Sequence, residues 1–341
     1  LKCLVVKLGA FGDIIHCLPA LDDLLQRAEV DELHWLVDAR YAFVTDVFPQ
    51  QVHVHRIDLK GPRPWHSTWR TIRHLCRLRF DAVIDLQGLI KSGLLARAVH
   101  ANTYGFDRHF SPEQGNHWLV QPVSFHAGER HVVQQYRRIA AGPFAIDATH
   151  RPDAPLPYVP PRVEPAPAMH TAFAREKKMI PLDDHPFVVL HLGGGWETKQ
   201  LPQGKWQALI KGVLEHGCLP LLSWGSARER HLAQVLANGS GAIALPRRLP
   251  MPALCGMLAQ ARAVIGTDTG VIHLAAALGT PTATFWGPSA SWRSGPLHNS
   301  HVHAESAPAC GPCFKRTCNH FTCMDDVRIK ELLEVLCDSR R

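Results

Sequence analysis

The sequence predicts an α/β protein built from two doubly wound parallel sheets, one in each half of the chain. Three observations carry that expectation. Short β-rich apolar runs alternate with longer stretches of helical period through both halves, as βαβ units with helices on both sheet faces require. A stretch with seven prolines, residues 150–168, separates the halves. The length of 341 residues suits two domains.

In the first half KCLVVKL (2–8), LHWLVDA (33–39), VHVHRI (52–57) and DAVIDL (81–86) read as strands bounded by polar turns. DIIHCLPALDDLLQR (13–27) and WRTIRHLCRLR (69–79) carry the helical period between them. The proline stretch HRPDAPLPYVPPRVEPAPA cannot continue a helix or a central strand, because proline lacks the backbone N–H and fixes φ. A semi-rigid linker is expected there. Strands resume at FVVLHL (187–192), LPLLSW (219–224), GAIAL (241–245), RAVIG (262–266) and PTATFW (281–286). KWQALIKGVLEHG, ARERHLAQVLA, MPALCGMLAQA and GVIHLAAAL supply the intervening helices. The expected organisation is a first domain over 1–149, the linker over 150–168, a second domain over 169–325 and a C-terminal helix over 326–341. Ligands of such sheets bind beyond the carboxyl ends of the strands, so the site is expected in a cleft between the halves.

Hydrophobic residues make up 46% of the chain, an ordinary share for a globular protein, and no apolar run approaches the ~20 residues that span a bilayer. The opening LKCLVVKLGAFGD is strand-like, without a signal-peptide apolar core and cleavage site, and a soluble cytoplasmic protein is expected. The net charge of +7 favours anionic partners. It is unevenly spread: Arg56, Lys60, Arg63, Arg70, Arg73, Arg77 and Arg79 share a segment in which Asp58 is the one acid. That segment reads either as a solvated helix face with its loop or as a landing site for a phosphorylated substrate or an anionic membrane surface. Nucleic acid is not among the expected partners.

Three loops could carry chemistry. In GTDTGVIHLAAAL a strand ends at Gly266 and a helix begins near Thr269 or Gly270. Asp268 or Thr267 could be a simple N-cap, worth about 1 kcal/mol. A turn made wholly of small residues, with His273 one helical turn on, instead suits an anion at a helix N-terminus. In VVKLGAFGDIIHCLP the glycines lack the dinucleotide-binding spacing. Asp13 there is either a helix cap or, at a strand's carboxyl end, a base able to take a proton from a hydroxyl. In HLGGGWETKQLP, Gly193, Gly194 and Gly195 permit close backbone approach and Lys199 offers a point charge suited to phosphate.

Together KLGAFGDIIHCLPAL, FDAVIDLQGLIKSGLLAR, KQLP, WGSARE and GTDTGVIHLAAALGTPTATFWGP resemble the ADP-heptose:lipopolysaccharide heptosyltransferases, from the first strand to about residue 290. Segment 81–97 looks most like the first-heptose enzymes. The resemblance implies a GT-B type glycosyltransferase, with two Rossmann-like domains facing across a cleft. The donor would be ADP-L-glycero-D-manno-heptose. The acceptor would be Kdo-lipid A or a related anionic glycolipid, met at the cytoplasmic face of the inner membrane. It implies Asp13 as general base, Lys199 on the donor phosphates and Glu229 on the nucleoside ribose. Asp268 would grip the heptose hydroxyls, with Thr269, Gly270 and His273 around the pyrophosphate and Leu249 against adenine. Lys60 and Arg63 would meet the acidic sugars of the acceptor. A single base with direct attack implies inversion at the anomeric carbon, and fixed cations on the departing pyrophosphate imply that catalysis needs no cofactor. Leu8, Gly9 and Ala10 stand where family members often carry hydroxyl residues, and the phosphate loop is glycine-rich rather than threonine-rich.

Cys310, Cys313, Cys318 and Cys323 have a C-x2-C-x4-C-x4-C spacing. It admits a structural zinc or iron site, locally packed thiols or a disulfide. Three functions stand against one another: first-heptose transfer, transfer by the same fold to another core heptose, glycan or protein, and nucleotide binding without catalysis. Asp13 weighs against the third, and the basic segment favours an anionic lipid-linked acceptor over a neutral protein.

Overall fold

A computed structural model of the chain describes residues 1–145, 147, 149–183, 185–306 and 308–337. Two compact units result, Leu1–Pro161 and Arg162–Arg341. Their boundary falls within the proline-rich stretch, where proline after proline leaves no N–H for a ladder or helix.

The first unit runs β1 (Lys2–Val6), α1 (Phe11–His16), α2 (Leu18–Leu25), β2 (Glu32–Asp38), β3 (Val52–Ile57), α3 (Pro64–Leu78), β4 (Ala82–Asp85), α4 (Ile90–Arg97), β5 (Asn102–Phe106), β6 (Gln121–Val123) and α5 (Val132–Ala141). Its six strands are all parallel, in the order β3-β2-β1-β4-β5-β6. Register is set across the centre by Val5 opposite Trp35 on one side and Ile84 on the other. Cys3, Leu4, Val5 and Val6 are wholly buried, as expected of a strand with helices over both faces.

The second unit runs α6 (Pro167–Lys177), β7 (Phe187–His191), α7 (Gln203–Glu215), β8 (Leu219–Ser223), α8 (Ala227–Ala237), β9 (Ile243–Ala244), α9 (Met251–Gln260), β10 (Ala263–Thr267), α10 (Gly270–Ala277), β11 (Thr282–Trp286), α11 (Ser291–Ser294), β12 (His301–Glu305) and α12 (Ile329–Leu333). The strands are again all parallel, ordered β12-β11-β10-β7-β8-β9. Counted from its own first strand, this is the same winding as in the first unit. Val188, Leu190, Ile265, Trp206 and Phe285 centre its core, with the Trp206 and Phe285 rings edge to face at 5.8 Å.

Several elements differ from the sequence reading for local reasons. The helix expected over 13–27 is two helices, because Pro19 sits in the first turn of α2, where its missing N–H does no harm. α3 starts at Pro64 for the same reason, five residues before the periodic stretch. β5 and β6 form from NTYGF and QPV, which lack the alternation that marks a strand in sequence, and β12 forms from HVHAE, which alternates but is short and mostly polar. GAIAL contributes only the two-residue β9. At the C-terminus α12 is followed by a 3-10 turn at Glu334–Leu336. The last four residues of the helix expected over 326–341 lie outside the described residues.

Candidate active site

In the second unit the winding direction reverses between β7 and β10, so the loops leaving their carboxyl ends emerge side by side. The loop after β7 carries the three glycines, turns at Gly195 with φ of +64°, and ends in the 3-10 turn Glu197–Lys199. A side chain at Gly193 would start 2.4 Å from His191 Nε2, so that position admits only glycine without a shift. The loop after β10 is Asp268 and Thr269, and α10 begins at Gly270.

These loops bring Lys199, Asp268 and His273 into direct contact. Lys199 Nζ lies 2.6 Å from Asp268 Oδ2 and also donates to the Asp268 carbonyl at 3.0 Å. His273 Nε2 is 2.9 Å from Asp268 Oδ1, and the Ser294 hydroxyl reaches the same oxygen at 3.5 Å. All three partners are largely buried: the side chains of Lys199, His273 and Asp268 are 7%, 4% and 15% exposed. Burial alone would raise the Asp268 pKa, but the His273 hydrogen bond and the Lys199 charge outweigh it and hold this carboxyl far below the usual carboxylate range.

Thr269 is the N-cap residue of α10 by position, yet its hydroxyl does not cap. Among the described residues that buried oxygen has no hydrogen-bond partner, and it stands beside the first free N–H groups of α10. Burial pushes the His191 pKa down to about 4, so this ring is neutral at pH 7 and shares a hydrogen bond of 2.9 Å with the Ser223 hydroxyl.

Glu229 and Leu249 belong to the same edge of this sheet, following β8 and β9. Glu229 lies in the first turn of α8 and closes a capping box: its Oε2 accepts from the N–H groups of Gly225 and Ser226, while Ser226 Oγ accepts from its own N–H. Leu249 is half-buried in the loop before α9.

In the first unit the winding reverses between β1 and β4. Asp13 stands in the first turn of α1, beyond the carboxyl end of β1, and accepts from the Ala10 N–H at 3.2 Å. The preceding loop is held from the end of β4, where Gln87 Oε1 accepts from the N–H groups of Leu8 and Gly9. Below it Lys7 is buried, with its ammonium donating to the Tyr136 hydroxyl at 2.8 Å and the Leu86 carbonyl at 3.0 Å. Burial would lower the Lys7 pKa, but Tyr136 and the charge of Asp13 raise it above the ordinary lysine value. Lys60 and Arg63 are exposed in the turn between β3 and α3, which Asp58 shapes by accepting from the N–H groups of Lys60 and Gly61.

For the four cysteines the structure gives no support to a metal site. All four thiols are free, with Cys310 and Cys318 exposed and Cys313 and Cys323 partly so. Among the described residues no group of three or more histidine, cysteine or carboxylate side chains is arranged to hold a metal ion. Spacing alone does not aim sulfur atoms: this segment is laid against the loops of the second unit. The Phe314 N–H donates to the Pro288 carbonyl and the Thr198 hydroxyl to the Lys315 carbonyl. Burial and the neighbouring thiols raise the Cys323 pKa, which keeps that sulfur protonated.

Sequence reasoning missed Trp196, whose ring lies 4.3 Å from Lys199 Nζ and 5.5 Å from the Arg316 guanidinium. An aromatic residue inside a glycine-rich loop was the available signal. Lys7 and Tyr136 gave none, since each looks like an ordinary member of its strand or helix.

Residues 68–323 match glycosyltransferase family 9 (heptosyltransferase). Lipopolysaccharide heptosyltransferase 1 of Pseudomonas aeruginosa is 31% identical, over the whole of this chain and 94% of its own length. The chain belongs to glycosyltransferase family 9. The family 9 enzyme also resembles two solved structures in fold. One is the heptosyltransferase WaaC of E. coli with ADP-2-deoxy-2-fluoro heptose, at 23% identity and a TM-score of 0.72, covering 98% of this chain and 99% of that one. The other is ADP-heptose lps heptosyltransferase II of E. coli, at 17% identity and a TM-score of 0.76, covering 99% and 98%. The fold of this glycosyltransferase is therefore of GT-B type.

Proposed function

We propose that this enzyme transfers L-glycero-D-manno-heptose from ADP-heptose to the Kdo/lipid A inner core of lipopolysaccharide, with inversion at the anomeric carbon. The observation that carries the reading is the buried Lys199–Asp268–His273 contact at the start of α10. It sets a cation, a carboxylate and free helix N–H groups within one site, and these are the groups a sugar diphosphate needs. Lys199 and the α10 N-terminus stabilise the charge that develops on the departing pyrophosphate. Asp268 accepts hydrogen bonds from sugar hydroxyls, Thr269, Gly270 and His273 surround the phosphates, Glu229 holds the ribose and Leu249 covers adenine. Asp13 takes the proton of the incoming hydroxyl, and the new bond forms as the bond to the pyrophosphate oxygen breaks. Proton, nucleophile and leaving group are all handled by side chains and backbone, so this scheme calls for no cofactor. On the acceptor side Lys60 and Arg63 meet acidic sugars, in a segment with little opposing charge. The names of the relatives support the substrates, as does the structure of WaaC with ADP-2-deoxy-2-fluoro heptose.

The acceptor is lipid-linked, and we place the reaction at the cytoplasmic face of the inner membrane. No helix among the described residues is long and apolar enough to cross a membrane, so contact with it would be peripheral. The test incubates purified enzyme with ADP-heptose and Kdo-lipid A and weighs the product. A gain of one heptose is expected. Transfer only to a different glycan or to protein would overturn the acceptor, and failure to consume ADP-heptose with any acceptor would overturn the reading.

A further inference from the structure

A groove of about 600 Å³ lies between α3 and β3, the edge strand of the first sheet. Its charged lining is one-signed: Arg56, Arg70, Arg73 and Arg77, with His55 and His74 beside them and no acid. Among the described residues no carboxylate is paired with any of these four arginines, although arginines elsewhere in the protein hold such pairs. Trp69 forms one wall and carries the Arg73 guanidinium 5.1 Å from its ring centre, which fixes the direction of that fork. The floor is polar, and its buried His55 ring is neutral at pH 7. His55 Nε2 shares a hydrogen bond of 2.8 Å with His34 Nδ1, and His34 Nε2 meets Glu32 at 3.1 Å. Burial and the neighbouring histidines push the His55 pKa down to about 4.

We propose that this groove binds a phosphomonoester on the lipid-linked acceptor, at a site separate from the one that meets the reacting sugar; the inference rests on the acceptor proposed above. Planar guanidinium forks on a helix match phosphate oxygens two at a time and stay charged at every physiological pH. The volume suits a compact headgroup, within the usual range for small-ligand sites. Position along α3 also fits. Arg70 and Arg77 follow Arg63 by seven and fourteen residues. At the helical rise this places them roughly 10–20 Å further on, a separation suited to a second anionic group on the same glycolipid. The groove therefore selects phosphorylated over unphosphorylated acceptors.

The experiment uses the full chain. Steady-state transfer is measured with Kdo-lipid A and with the same acceptor after its phosphates are removed. For the unaltered enzyme, dephosphorylation is expected to raise KM about tenfold, the effect of losing a charged hydrogen bond, with kcat little changed. The double variant Arg73→Gln/Arg77→Gln, at two exposed positions, is expected to show that raised KM with both acceptors while its melting temperature and ADP affinity stay unchanged. Full discrimination retained by the variant overturns the inference. Should the unaltered enzyme glycosylate neither acceptor, the functional reading falls and binding alone decides the groove. D-Glucosamine 1-phosphate is then titrated by calorimetry in the presence of saturating ADP. Heat lost in the variant supports the groove; no binding, or equal binding by the variant, overturns it. Sedimentation with phosphatidylglycerol vesicles free of glycolipid separates the two sources of phosphate. A variant that loses vesicle binding while still distinguishing the acceptors would make the groove a general lipid surface and sink the proposal.

Discussion

In the proposed reaction Asp13 and Lys199 divide the chemistry between a proton and a leaving group, and single substitutions would separate the two roles. Asp13→Ala is expected to lower turnover by about 10²–10⁴-fold, the usual contribution of a general base, with ADP affinity nearly intact. Rates measured at saturating ADP-heptose beside calorimetric ADP binding would check this, and an unchanged rate would remove Asp13 from the mechanism. Lys199→Ala should act on the donor instead. It removes one partner of a largely buried carboxylate, so weaker binding of ADP-heptose should be accompanied by a lower unfolding midpoint in urea. Unchanged donor affinity would count against its phosphate role. These positions were legible because Asp, Lys and a run of small residues stood where strands gave way to helices. The contacts among them were not. Nothing in the spacing of Lys199 and Asp268, 69 residues apart, says that they touch.

At the scale of elements, α6 and α9 approach closely in the second unit. A Cβ at Gly256 would lie 2.2 Å from the Met169 carbonyl oxygen and 2.9 Å from Phe173 Cβ, so the two backbones meet where a side chain is missing. Gly256→Ala must push backbone rather than a flexible chain end and is expected to cost about 1–3 kcal/mol, which chemical denaturation would measure. Sequence could not foresee this packing: MPALCGMLAQA reads as an apolar helix, and its glycine carries no mark of what it faces. Element type was readable wherever period and length agreed, as in β7, β10 and α10. Boundaries were lost where a proline opened a helix, at α2 and α3, because a helix-breaking residue and a helix-starting one are the same residue. Short strands such as β6 and β9 exist through their neighbours and carry too few residues to show a period.

For the whole molecule, buried titratable groups set the response to acid. The imidazoles of His55, His191 and His301 are each pushed by burial to about 4 from an ordinary value of 6.5. Between those values the unfolded chain binds protons that the folded one refuses, so stability should fall as pH drops from about 6.5 to 4. Asp268 adds a second loss below about pH 4. Its folded pKa is depressed, so its contribution is complete above the ordinary carboxylate range and disappears as the acid overtakes the native pair. Melting temperatures across pH 4–8 would check the first window, and a flat profile would contradict it. His55→Gln should flatten part of that slope.

The winding shared by the two units has a kinetic consequence. Each sheet is centred on a pair of strands well separated along the chain, β1 beside β4 and β7 beside β10. Helices and the strands next to them in sequence can form early from nearby chain, whereas the central seam must wait for distant segments to find each other. Recovery of nucleotide binding during refolding should therefore lag behind recovery of far-ultraviolet ellipticity. A nucleotide in the refolding buffer would, if bound as proposed, trap molecules that have already closed the seam, making ligand capture a gauge of finished folding.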